Sequence, residues 1–117
     1  MKRLLFCFLL SISCHLLTAQ ETIKGVWHTG QDNATVEFYK NGARLFGKLL
    51  TTDNRYAKIG MIILHDLSFS KDQWKGKIYA PRRDKLYSVS ITPGDDTMEL
   101  LVTAGIFKKK LTWKKVE

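Results

Sequence analysis

Beyond its first twenty residues the chain has no cysteine, only two prolines and no long apolar run. The missing thiols exclude disulfides, thiol catalysis and cysteine-held metal from residues 21–117, so that segment must be held by burial and backbone pairing alone. No stretch after residue 20 approaches the ~20 apolar residues that a bilayer-spanning helix needs, and none keeps a 3.6-residue apolar period. Catalytic signatures are equally scarce. After residue 20 only His28 and His65 remain, on separate expected strands and without the His-x-x-x-His or His-Glu spacing of metal chemistry. There is no Gly-x-Ser-x-Gly elbow. Asp95 and Asp96 follow Pro93-Gly94, a turn that leaves both carboxylates in solvent, where nothing tunes them for acid–base work. The chain reads as non-enzymatic, with no metal and no cofactor.

What the sequence does contain begins with MKRLLFCFLLSISCHLLTAQ. Lys2 and Arg3, an apolar run from Leu4 to Leu17 and a small or polar end have the layout of a secretory signal peptide. Cleavage is expected after Ala19 or Gln20, with export to the periplasm or the exterior. The alternative is a lipid anchor at Cys14, although Ser11-Ile12-Ser13 lacks the leucine of a lipoprotein site. Removing Lys2 and Arg3 lowers the formal charge from +8 to about +6, which favours an anionic envelope component as partner but fixes neither fold nor reaction. Residues 21–117 suffice for a single domain with a modest core.

That domain reads as all-β. Short alternating runs fall at 24–29, 34–40, 43–51, 61–69, 73–80, 85–92, 97–103 and 106–116, separated by turn residues. Asn41-Gly42 is a hairpin signal; Thr92-Pro93-Gly94-Asp95-Asp96 and Ala104-Gly105 are further turns. Short links make successive strands antiparallel neighbours. Eight strands in that order close naturally into an up-and-down, lipocalin-like barrel, which removes exposed edges. The exception is the 52–60 loop, TDNRYAKIG, readable as a lid, a partner contact or a solvated crossover.

Side chains on a strand alternate between faces. Trp74, Gly76 and Ile78 therefore oppose Lys75, Lys77 and Tyr79, and Phe107, Leu111 and Trp113 oppose Lys108, Lys110 and Lys114, with Lys109 out of pattern. An interior lined by Trp27, Phe38, Phe46, Trp74, Ile78, Tyr87, Leu100 and Trp113 would suit a small hydrophobic ligand. Large aromatics also fill space, and an eight-stranded barrel is only just wide enough for one small ligand, so a packed core is weighed ahead of a cavity. In WKGKIYAPRRDKLY, residues 74–87, the charges and aromatics divide between two faces of a hairpin and are not expected to meet the same ligand.

Several of these residues carry a family resemblance. Gly25-Val26-Trp27, then Trp74, Gly76, Ile78-Tyr79, Pro81, Asp84-Lys85, Tyr87 and the closing Trp113 resemble the small exported bacterial proteins known as DUF2147, a domain of unknown function. The likeness implies a calycin-type barrel across nearly all of residues 21–117. Two departures mark this chain: Asp53-Asn54-Arg55 stands where members tend to carry Asn-Pro-Asp, and Arg82-Arg83-Asp84 lacks the usual glycine before Lys85.

Two functions follow as expectations. One is an exported barrel binding a small hydrophobic or amphipathic ligand; the other is a structural or interaction module using its basic outer face and the 52–60 loop. Nucleic acid is disfavoured, since export removes the substrate and eight runs are too many for a five-stranded oligonucleotide-binding barrel.

Overall fold

The computed structural model describes residues 23–116. The expected export signal, with Cys7 and Cys14, lies outside the described residues. Eight strands follow one another: β1 (Gly25–His28), β2 (Thr35–Asn41), β3 (Arg44–Thr51), β4 (Ile62–Ser70), β5 (Gln73–Ala80), β6 (Lys85–Pro93), β7 (Thr97–Ala104) and β8 (Phe107–Lys115). Each pairs antiparallel with the next, and β8 returns to β1, closing the barrel. No helix among the described residues is long and apolar enough to cross a membrane.

The turns explain the register. Leaving the β2–β3 and β7–β8 hairpins, Asn41 pairs with Arg44 and Ala104 with Phe107, so the central pairs are Gly42-Ala43 and Gly105-Ile106. Only the first of each has positive φ, at 67° and 64°. That is the glycine-first pattern of a type II′ turn, whose twist matches the flanking strands. Pro93, expected inside the turn, instead ends β6 opposite Met98. Having no N–H to give the ladder, proline is tolerated at such a strand end.

Alternation then sorts the faces. Trp27, Val36, Leu64, Leu67, Trp74, Ile91 and Leu100 are fully buried, and no charged or polar residue joins them among the described residues. Fully burying a large apolar side chain contributes about 1.5–3 kcal/mol, which is the main source of stability where no disulfide can form.

The wall bends at β4. Register shifts interrupt its pairing with β3 around Gly47 and with β5 between His65 and Ser68, where Asp66 takes φ 55°. A bulge of this kind bends a strand and increases its twist, which barrel closure requires. At the second bulge the backbone presses onto Gly76: a Cβ there would stand 2.5 Å from the His65 carbonyl oxygen. Glycine at this position is a steric requirement.

Candidate functional site

In an antiparallel meander every second connection falls at the same end. The 29–34 loop, the 52–61 loop, the Pro81–Asp84 turn and the β7–β8 turn therefore share one end of the barrel. There the interior opens as a cavity of about 930 Å³, walled by Ile63, Ile78, Tyr87, Val102, Leu111 and Trp113 and rimmed by Asp32, Arg82, Arg83, Lys108 and Lys109. Residue size accounts for the opening. Inward positions toward the opposite end carry Trp27, Phe38, Trp74 and Met98, whereas those nearest the mouth include the small Ala34, Ala80, Val102 and Ala104, with Tyr87 and Phe107 as the large exceptions. The barrel is filled in one half and hollow in the other, where a packed core was weighed ahead of a cavity.

The residues expected to line the interior separate accordingly. Ile78, Tyr87 and Trp113 border the cavity. Trp27, Phe38, Trp74 and Leu100 belong to the packed half, with Phe38 against Trp113 at 6.3 Å between ring centroids and Phe69 against Trp74 at 5.2 Å. Phe46 does not line the interior. Leu45, Gly47 and Leu49 hold the inward positions of β3, so Phe46 points out and stacks on Tyr39 at 5.8 Å. Phe107 keeps inward parity but stands at the rim, 75 % exposed. Lys109, out of pattern in the sequence, is a cation on the cavity side of β8.

The residues that carry the family likeness are largely architectural. Gly25 begins β1 at φ 115°, a backbone angle that L side chains rarely adopt. Trp27 donates from Nε1 to the Ile23 carbonyl at 2.9 Å, tying the segment before β1 to the core. Arg83 N–H donates to the Ala80 carbonyl at 3.1 Å, making Pro81 the first central residue of a β-turn, where its fixed φ is favourable. Asp84 follows at φ 50°, and its carboxylate accepts the Tyr79 hydroxyl proton at 2.5 Å. This hydrogen bond, more than burial or the carboxylate's charge, raises the Tyr79 phenol above its ordinary value of 10. The turn also corrects the separation of charge from aromatic surface within residues 74–87. Arg82 and Arg83 border the same cavity as Ile78 and Tyr87, because a turn rises beyond the strand alternation.

The 52–60 loop is fastened to its neighbour. Asp53 N–H donates to the Asp32 carbonyl at 2.7 Å, the Asn33 amide donates to the Asp53 carboxylate at 2.6 Å, and the Asn54 amide reaches Asp32 Oδ2 at 3.3 Å. From the β5–β6 turn, Arg82 Nη2 approaches Asp32 Oδ1 at 3.7 Å. One side of the mouth is thus a polar knot centred on Asp32. Sequence alone offered no sign of it, since its partners lie about twenty residues apart.

The histidines serve local geometry. His28 Nδ1 accepts from Gly30 N–H at 3.0 Å, and His65 Nε2–H donates to the Ile62 carbonyl at 2.9 Å. Among the described residues no three His, Cys, Asp or Glu side chains gather as a metal site. Asp95 and Asp96 lie in the β6–β7 turn, at the end opposite the mouth. The mouth thus sets an apolar wall beneath cationic side chains.

No curated protein matches the chain. The family model described as an uncharacterized protein conserved in bacteria, DUF2147, matches residues 25–115, from the first residue of β1 to the last of β8, and the chain belongs to that family.

Proposed function

We propose that this protein is an exported, non-enzymatic barrel that holds a small hydrophobic or amphipathic molecule in the open half of its interior. The observation that carries this reading is the cavity of about 930 Å³, within the range of about 300–1,000 Å³ usual for ligand sites. Apolar walls reward burial of a hydrocarbon body at ~25 cal/mol per Å², and the rim lets a polar end stay wet. The test is native mass spectrometry of protein purified from its own host, paired with uptake of anilinonaphthalene sulfonate. Val102→Trp fills the cavity from β7 and is expected to abolish both the added mass and the dye signal while the chain stays folded. Equal dye uptake by V102W, or neither added mass nor dye uptake in the wild type, overturns the reading.

A second reading keeps one observation in its favour. Tyr56 and Ile59 are 55 % and 70 % exposed on a loop whose backbone is tied down, a preorganised contact for another envelope component. Lys108, Lys110 and Lys114 changed together to Glu would then abolish association without unfolding the barrel.

A further inference from the structure

Turn tips are ordinarily polar, because Gly, Asn, Asp and Ser suit both their backbone angles and their exposure to water. The β7–β8 turn departs from this. Gly105 supplies the required φ, but Ile106 and Phe107 follow it at 91 % and 75 % exposed, the two most exposed large hydrophobics among the described residues. At such exposure they add little to the core, so the fold does not account for them. Lys108, Lys109 and Lys110 come next, all exposed and none in an ion pair among the described residues. Tyr56 and Ile59 project at the same end of the barrel from the 52–61 loop.

Cations surround these side chains. The mouth connections carry Arg55, Lys58, Arg82 and Arg83 against Asp32, Asp53 and Asp84, each of those carboxylates accepts a side-chain hydrogen bond, and Lys108 and Lys109 follow at the start of β8. The other end is basic as well: Lys40, Arg44, Lys71, Lys114 and Lys115 stand there with Asp72, Asp95 and Asp96. What sets the mouth apart is therefore not net charge but the placing of its cations beside the exposed Ile106 and Phe107, where apolar insertion and attraction to an anionic surface can act together.

We propose that the mouth end docks on an anionic lipid bilayer, with Ile106 and Phe107 inserted among the acyl chains and Lys108, Lys109, Lys110 and Arg83 against the headgroup phosphates. Apolar prongs ringed by lysine and arginine are the chemistry of interfacial binding, in which buried hydrocarbon and attraction to acidic lipid act together. Docking in this way does not depend on the cavity's being filled. It does turn the cavity toward the bilayer, so a molecule leaving the lipid would meet Phe107 and the cavity wall without crossing water.

The experiment places single tryptophans by Ile106→Trp and, on the outer wall, by Leu101→Trp. The native Trp27, Trp74 and Trp113 are at most 3 % exposed, so the added indole reports. Each variant of the full chain is mixed with vesicles of phosphatidylglycerol carrying brominated acyl chains, or of phosphatidylcholine alike. Expected is a blue shift and quenching of I106W on the acidic vesicles only, with L101W unaffected. Binding should weaken about tenfold when salt rises from about 0.05 M to about 0.5 M, as the screening length shortens. In the otherwise native chain, Phe107→Ser should weaken vesicle binding about tenfold. Equal quenching of I106W and L101W, as binding through apolar residues 4–17 would give, overturns the proposal. So does equal quenching of I106W on both lipids, no binding to acidic vesicles, or a blue shift of I106W that grows with protein concentration alone, which would assign the tip to a second copy of this chain.

Discussion

Tyr79 and Asp84 show how much one pair of side chains can reveal about a turn. The hydroxyl of Tyr79 closes the β5–β6 loop by donating to the Asp84 carboxylate, and the same bond raises the phenol's pKa. A phenol raised in the folded state keeps its proton where the unfolded chain has lost it. Its contribution to stability is therefore complete below pH ~10 and is lost as pH rises through the raised value. A phenolate absorbance titration should accordingly show a step above pH 10 that Tyr79→Phe removes, together with part of the alkaline fall in thermal stability; an unchanged titration curve would exclude the bond. Trp27 and Trp74 are both fully buried, yet only Trp27 has an acceptor for its indole N–H among the described residues. Neither that difference nor the steric demand at Gly76 was legible in sequence, because both depend on which backbone lies opposite.

Among the elements, the β4–β5 hairpin is the least suited to its own residues. Lys71 and Asp72 both hold positive φ, 53° and 64°, the type I′ geometry that Asn-Gly adopts with least strain. Lysine pays steric energy in the left-handed region. Replacing the pair by Lys71→Asn and Asp72→Gly should stabilise the barrel by about 1 kcal/mol and raise the melting temperature by about 4–8 °C; calorimetry showing no rise would mean the turn is unstrained. This turn carries no Gly or Pro and was located only as a gap between two runs. The turns at Gly42 and Gly105 were visible because glycine announces itself, but each closes one residue later than the dipeptide suggested. The pairing ladder, not the dipeptide, sets which two residues turn.

At the scale of the whole molecule, closure depends on a short seam. β1 pairs with β8 only at Trp27↔Lys115 and His28↔Lys114, extended by Val116 N–H donating to the Val26 carbonyl, whereas β7 and β8 pair from Thr97 to Ala104. Local opening follows the fewest shared hydrogen bonds. In native-state hydrogen exchange the amide of Val116, which bonds across the seam, should thus exchange well before those of Val89 and Ile91; equal protection would show that the barrel opens only as one unit. The seam joins the first strand to the last, a pairing of maximal loop-closure cost that no local pattern in the chain encodes.

What the sequence determined by itself was periodic. Alternation gives strands, short polar links give antiparallel neighbours, and residues 21–117, which hold no cysteine, must rely on apolar packing; strand order and most inward faces follow from those facts alone. Phe46 escaped because its inclusion ignored the parity that Leu45 and Leu49 impose on β3. Only tertiary structure decided that the interior is half packed and half hollow, that Asp32 ties two loops and a turn together, and that the cations of the β5–β6 turn and of β8 meet at one mouth. The reason is that a barrel brings every second connection to the same end, so residues dispersed through the chain become neighbours by closure, and closure is a property of the sheet.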